Sequence, residues 1–337
     1  MAPTSNQPIA KLLIVTHHRL ELWIAPEWFS ERIRRYYPKL NVVASTSYDG
    51  IEGELADADI AFAGSLRPEQ FKLARRLRWI HSPSAAVHQF LFPELLASDV
   101  VLTNARQVHG PVVAEHVVGL LFALAKQIPD ALRYQQKHIW AQGIIWSGRS
   151  RPRELSGATI GLVGLGSIGR SVAKLTSCLG MRVIAVREHA ERDKPEFVDQ
   201  VLPVARLDEM LGRSDYVVLS PPLTPATQGM IGRDQLSSMK PEAYLINVGR
   251  GPLVKEEELV VALKERQIAG AALDVFEKEP LPQDSALWDL ENLLITPHTG
   301  GMTEKLWERH FTLFSENLER FLRGQPMLGL VDKRLGY

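Results

Sequence analysis

The stretch Thr159-Ile-Gly-Leu-Val-Gly-Leu-Gly-Ser-Ile-Gly169 sets Gly164, Gly166 and Gly169 directly after an apolar run of β type and before a helical stretch. A strand that turns sharply into a helix at such a triplet forms a cradle for a dinucleotide. The second glycine lets the backbone approach a pyrophosphate, and the helix N-terminus supplies free N–H donors and positive potential. Glycines also serve tight turns and close helix–strand packing, so the surrounding chain has to decide the reading.

Downstream of the triplet, strand candidates recur at residues 159–163, 182–186, 216–220, 243–247, 270–275 and 292–296, with helical stretches at 167–179, 207–212 and 256–266. Six strands are the complement of a complete doubly wound dinucleotide fold, and the order 3-2-1-4-5-6 is expected. Upstream, apolar runs at 12–15, 41–44, 59–62, 77–80 and 100–103 alternate with amphipathic stretches, a second α/β series. A largely apolar helix is predicted over 112–127, at the join between the two series, and a last helix over 303–322 is expected to return to the first. The expected division is 1–105, 106–297 and 298–337. No internal repeat or low-complexity tract is present.

Composition bounds the function. The 337 residues are 45% hydrophobic, and 39 Lys plus Arg balance 39 Asp plus Glu for a net charge of zero. Such a chain has no field to draw in nucleic acid or an anionic membrane, and neither is expected as a partner. The single cysteine, Cys178, cannot form an internal disulfide and is expected as a small buried core residue in a reducing compartment. Residues 1–8 lack the basic and apolar regions of a signal peptide and read as a disordered lead. The greasiest stretch, 112–125, is interrupted by Glu115 and His116 and is shorter than the ~20 residues that span a bilayer. A cytoplasmic protein is expected, with no metal site.

In that strand order the crevice opens at the carboxyl ends of strands 1 and 4. The strand at 243–247 leads into Arg250, the next ends at Asp274 with Glu277 and Glu279 beyond it, and the last ends in Thr296-Pro297-His298. A cation, carboxylates and an imidazole thus converge on one edge. Arg250 can bind carboxylate and carbonyl oxygens with its planar fork, and His298 can protonate a carbonyl oxygen as hydride arrives at carbon. Glu279 beside the imidazole would keep its acid form available. Strand 2 ends at Arg187 where NAD-specific folds place an acid, which favours NADP over NAD; Glu188 beside it is the alternative ribose contact.

Here the chain resembles the D-isomer-specific 2-hydroxyacid dehydrogenase family. The similarity runs through Gly161-Leu-Val-Gly-Leu-Gly-Ser-Ile-Gly-Arg170, Pro222-Leu-Thr-Pro-Ala-Thr227, Met239-Lys-Pro-Glu-Ala-Tyr-Leu-Ile-Asn-Val-Gly-Arg-Gly251, Ala271-Ala-Leu-Asp-Val-Phe-Glu-Lys-Glu-Pro280 and Thr296-Pro-His-Thr-Gly-Gly301. The resemblance implies two doubly wound parallel-sheet α/β domains, a flavodoxin-like substrate domain and a Rossmann dinucleotide-binding domain, with an interdomain cleft. It implies Arg250, Glu279 and His298 as the catalytic residues. Along the cofactor it places Gly164, Gly166, Ser167, Ile168, Gly169, Pro222, Thr227, Val248, Gly249, Arg250, Asp274, His298 and Gly300, with Asp274 on the nicotinamide carboxamide.

The family's carboxylate-binding loop matches Ser84-Ala-Ala-Val-His88, so the Ala86 and Val87 amides would join Arg250 and His298 on the substrate. Alanines there, where the family often has glycines, bear on substrate size. Asn104 and Ala114-Glu115-His116 resemble the interdomain segment, and these with His109 read as hinge and packing. Trp140, Trp146 and Trp307 read as core or subunit contacts. The resemblance implies NAD(P)-dependent interconversion of a small 2-oxo acid and its D-2-hydroxy acid, of the glyoxylate, hydroxypyruvate or pyruvate type, by a cytoplasmic homodimer. The alternatives are a dinucleotide-sensing, corepressor-like interaction protein and a relative acting on formate or phosphite.

Overall fold

Near-continuous apolar runs such as Leu12-Leu-Ile-Val15 suit strands covered on both faces, the condition of an all-parallel sheet. The computed structural model describes residues 11–336, so the 1–8 lead lies outside the described residues. Two compact units divide the chain: the described part of Met1–His109 with that of Met302–Tyr337, and Gly110–Gly301.

In the first unit, β1 (Lys11–Val15), β2 (Asn41–Ser45), β3 (Ile60–Ala63), β4 (Trp79–Ser82) and β5 (Val101–Asn104) form a parallel sheet in the order β2-β1-β3-β4-β5. This is the flavodoxin-like order. Alternation along the strands sends Leu13, Val15, Ala61, Ala63 and Ile80 to one core and Leu12, Ile14, Ile60, Phe62 and Trp79 to the other. The second core is closed by Phe314, Leu318 and Phe321 of the Leu306–Leu322 helix. Phe314 stacks on Trp79 with centroids 5.2 Å apart, and Trp307 is buried in the same cluster.

Three histidines sit in this unit's interior. His81 bonds to Thr103 Oγ1 at 2.8 Å through Nδ1, and His109 and His310 lie ring to ring at 5.9 Å. Burial pushes His81 down to about 3 and His310 well below its ordinary value, so both are neutral in the folded chain.

The second unit holds β6 (Thr159–Val163), β7 (Arg182–Val186), β8 (Gln200–Leu202), β9 (Tyr216–Leu219), β10 (Tyr244–Asn247), β11 (Gly270–Leu273) and β12 (Leu293–Ile295). They are parallel in the order β12-β11-β10-β9-β6-β7-β8. This corrects the expected strand order. The third strand in chain order is the three-residue β8, between Pro195 and Pro203 and too short to carry a period; residues 216–219 instead lie beside β6. The order reverses between β6 and β9, and Arg250 follows the strand one place further along the same edge.

The helix predicted over 112–127 runs Arg106–Ala125, continuing through Pro111. Among the described residues it alone is long and apolar enough to cross a membrane by length and composition, so the length argument drawn from 112–125 does not hold; over half of it is buried in the fold. Val113, Val117, Leu120, Leu121 and Leu124 pack into the core against β6 and β7. One further expectation fails. Cys178, the last residue of the Ser167–Cys178 helix, is exposed, because the buried face of that helix carries Gly169, Val172, Ala173 and Thr176. Of the tryptophans expected in the core or at subunit contacts, Trp307 is in the core, while Trp140 and Trp146, at 89% and 62% exposed, are left to the second alternative.

Candidate active site

The glycine turn between β6 and the Ser167–Cys178 helix is shaped by contacts a side chain would break. Gly164 has φ +94°, where L-residues are strained, and a Cβ there would meet Pro221 N at 2.9 Å. A Cβ at Gly169 would collide with the Gly164 carbonyl. At Gly166, by contrast, a Cβ would meet no protein atom within 4 Å. Protein packing gives no reason for a glycine at 166, whereas a pyrophosphate laid over the helix N-terminus does, and the Ser167 and Ile168 amides open that helix. The cradle fits a dinucleotide.

Arg250, Glu279 and His298 lie in the same unit. Arg250 follows β10, where the Asn247 side chain ties the turn by accepting from the Gly249 amide at 3.1 Å and donating to the Arg250 carbonyl at 3.0 Å. The Arg250 guanidinium donates to the Gly249 carbonyl at 2.6 Å; burial lowers its pKa, opposed by the Glu279 carboxylate. Glu279 Oε1 accepts the Phe276 amide at 3.0 Å, and Oε2 lies 2.6 Å from His298 Nδ1.

Burial works to raise the Glu279 carboxyl, but the bonds from His298 and Phe276, with the nearby charges of His298 and Arg250, hold it below its ordinary value. An ionised carboxylate only accepts, so Nδ1 carries the proton and Nε2 is left to exchange one. Glu277 is engaged elsewhere, accepting from the Glu256 amide at 3.1 Å, so Glu279 is the glutamate that reaches the imidazole. His298 stands at φ +54°, in the left-handed region, with its amide on the Thr296 carbonyl at 2.9 Å.

Asp274, one residue beyond β11, is buried and accepts from Thr296 Oγ1 at 2.6 Å and from the Thr299 and Gly300 amides at 2.9 Å each. Burial works to raise it, but these donors and His116 hold it below the ordinary carboxylate value. His116 Nε2 is 3.1 Å from Thr296 Oγ1. Sequence reasoning placed His116 in hinge and packing and missed this contact, which joins residues 180 apart in the chain. Val248 is buried beside Gly249. The Thr227 hydroxyl is engaged within its own loop, donating to the Pro222 carbonyl at 2.7 Å.

Arg187, at the end of β7, donates to the Asp193 carbonyl at 3.0 Å, and its Nε is buried with no partner among the described residues. Arg170 grips the Asp193 carboxylate with both terminal nitrogens, at 3.1 and 3.2 Å, while Glu188 is exposed. In the other unit, Val87 is buried in the core and Ala86 half-buried; the loop before them is tied by Asn104 Nδ2 donating to the Ala85 carbonyl at 2.7 Å.

Residues 118–300 match the family described as D-isomer specific 2-hydroxyacid dehydrogenase, NAD binding domain. A glyoxylate reductase of Pyrococcus furiosus is 35% identical over 270 residues, 79% of this chain and 79% of that protein. A D-3-phosphoglycerate dehydrogenase of Methanocaldococcus jannaschii is 32% identical over 87% of this chain, which spans only 55% of that relative's length. The crystal structure of a D-isomer specific 2-hydroxyacid dehydrogenase from Xanthobacter autotrophicus, in complex with NADPH and MES, superposes with a TM-score of 0.84 at 28% identity, covering 98% of this chain and 100% of that one. The chain belongs to the D-isomer specific 2-hydroxyacid dehydrogenase family, whose members are NAD(P)-dependent oxidoreductases of 2-oxo and 2-hydroxy acids.

Proposed function

We propose that this chain reduces a small 2-oxo acid of the glyoxylate, hydroxypyruvate or pyruvate type to the D-2-hydroxy acid, with Arg250, Glu279 and His298 as its catalytic residues and NADPH favoured over NADH. The observation that carries the reading is the 2.6 Å pair between His298 Nδ1 and Glu279 Oε2, in the unit that also holds Arg250 and the glycine cradle. The nicotinamide cofactor, when bound, supplies hydride to the carbonyl carbon.

Arg250 orients the substrate by gripping its carboxylate and carbonyl oxygens with a guanidinium that stays charged at any working pH. His298 gives the proton on Nε2 to the carbonyl oxygen, while Glu279 fixes the ring through Nδ1. In this reading the Ala86 and Val87 amides take part in holding the carboxylate. Ser167, Ile168 and the glycines bind the pyrophosphate, and Pro222, Thr227, Val248, Gly249 and Gly300 line the cofactor with Asp274. Arg187, directly after β7 where NAD-specific folds place an acid, supports a 2′-phosphate there.

Exposed Ile128, Leu132, Ile139, Trp140, Ile144 and Trp146, gathered within residues 128–146, support a homodimer. The core packing of the Arg106–Ala125 helix and the zero net charge support a cytoplasmic protein without membrane or nucleic-acid partners. Initial rates with glyoxylate, hydroxypyruvate and pyruvate, each with NADH and NADPH, test the reading. Turnover of at least one acid, faster with NADPH, is expected. Binding of NADPH with no turnover of any would favour a dinucleotide-sensing protein, and turnover of formate or phosphite alone would favour that rival.

A further inference from the structure

The buried Asp274 carboxylate accepts three hydrogen bonds, and a further support, His116, comes from far away in the chain. Thr296 Oγ1 lies 2.6 Å from Asp274 Oδ1 and 3.1 Å from His116 Nε2, and His116 Nε2 is itself 3.5 Å from Oδ1. A threonine hydroxyl has one proton. If that proton pointed at His116, the hydroxyl oxygen and an ionised carboxylate oxygen would face each other at 2.6 Å as two acceptors. The hydroxyl therefore donates to Asp274 and accepts from His116, which fixes the proton on Nε2. The neutral Nε2–H tautomer and the imidazolium both supply that donor.

The two carboxylate oxygens are unequally used. Oδ1 accepts from the Thr296 hydroxyl and the Thr299 amide, and Oδ2 from the Gly300 amide alone. A Cβ on Gly300 would stand 2.8 Å from Oδ2 and 3.2 Å from His116 Cδ2, so the missing side chain keeps that oxygen reachable beside the imidazole.

We propose that His116 is a positioning residue for cofactor binding: through Thr296 it holds Asp274 in the rotamer that leaves an Oδ2 lone pair free for the nicotinamide carboxamide N–H. The inference rests on the reading of Asp274 as the carboxamide contact. His116 touches neither cofactor nor substrate in this account. Its effect is on the nicotinamide half of the ligand and not on the adenine and pyrophosphate half.

The test compares dissociation constants, by calorimetry, for NADH and NADPH with those for ADP-ribose and 2′-phospho-ADP-ribose, which lack the nicotinamide. His116→Leu removes the donor and is expected to weaken the whole cofactors about tenfold while leaving the truncated ones within about twofold, the size of one lost hydrogen bond. His116→Gln carries an amide N–H at the reach of Nε2 and is expected to recover most of the loss. Thr296→Val breaks the relay at its middle, should reproduce the His116→Leu pattern, and serves in its place if that variant does not fold. Equal weakening of whole and truncated ligands, no weakening, or a glutamine no better than leucine would overturn the proposal. Asp274→Asn separates the two levels: if it does not diminish the advantage of whole over truncated cofactor, the carboxamide reading itself fails. If it does and the His116 variants do not, only the role of His116 fails.

Discussion

At the residue scale, individual side chains of the site have separate tasks. Arg250 and His298 act on substrate, so His298→Ala and Arg250→Ala should each lower turnover by about 10²–10⁴-fold and leave NADPH affinity, measured by nicotinamide fluorescence, close to that of the parent. A His298→Ala protein with parental turnover would remove the proton donor from the scheme. Glu279→Gln takes the anion from its 2.6 Å contact with the imidazole. Turnover should then fall while NADPH affinity holds, because the ring has lost the carboxylate that fixes the proton on Nδ1 and leaves Nε2 to face the substrate; unchanged turnover would assign Glu279 to structure. Arg187→Asp exchanges a phosphate partner for a like charge. It should weaken NADPH more than NADH by tenfold or more, on the order of one charge-assisted hydrogen bond of ~1.5–3 kcal/mol; equal effects on the two would move the ribose contact to Glu188.

At the element scale, the Leu306–Leu322 helix completes the first unit. Phe314 is fully buried between Trp79 and Phe62, so Phe314→Ala should cost about 3–5 kcal/mol in a denaturant titration of the whole chain. A loss below about 1 kcal/mol would mean that the helix is not part of that core. The strands of both sheets were legible because buried parallel strands read as apolar runs, and the cradle because its glycines follow one of them. β8 was not: three residues between prolines carry no periodicity, and omitting it displaced residues 216–219 to the wrong side of β6. Arg250, Glu279 and His298 were readable because each follows a strand on one edge. The contact of His116 with Thr296 was not, because nothing local to Ala114-Glu115-His116 says which strand end its helix passes. Cys178 was misplaced by one helical face.

At the scale of the molecule, acid sensitivity follows from the first unit's interior. His81 is neutral with a folded pKa of about 3 against an unfolded value near 6.5, so the unfolded chain binds more protons between those limits. Its contribution to stability is complete above pH ~6.5 and is lost as the pH falls toward 3, at up to about 1.4 kcal/mol per pH unit, with His310 acting in the same direction. Denaturation midpoints measured from pH 7 to pH 5 should fall, and fall less steeply in His81→Phe; a flat profile in the parent would mean that the ring is not buried neutral. The chain as a whole is expected to make D-2-hydroxy acids from 2-oxo acids with NAD(P)H. The most direct measurement is the product of hydroxypyruvate with NADPH or NADH, resolved by chiral chromatography against cofactor consumed. D-glycerate is expected, one for each cofactor oxidised; L-glycerate would overturn the assignment, as would no turnover of hydroxypyruvate, pyruvate or glyoxylate with either cofactor.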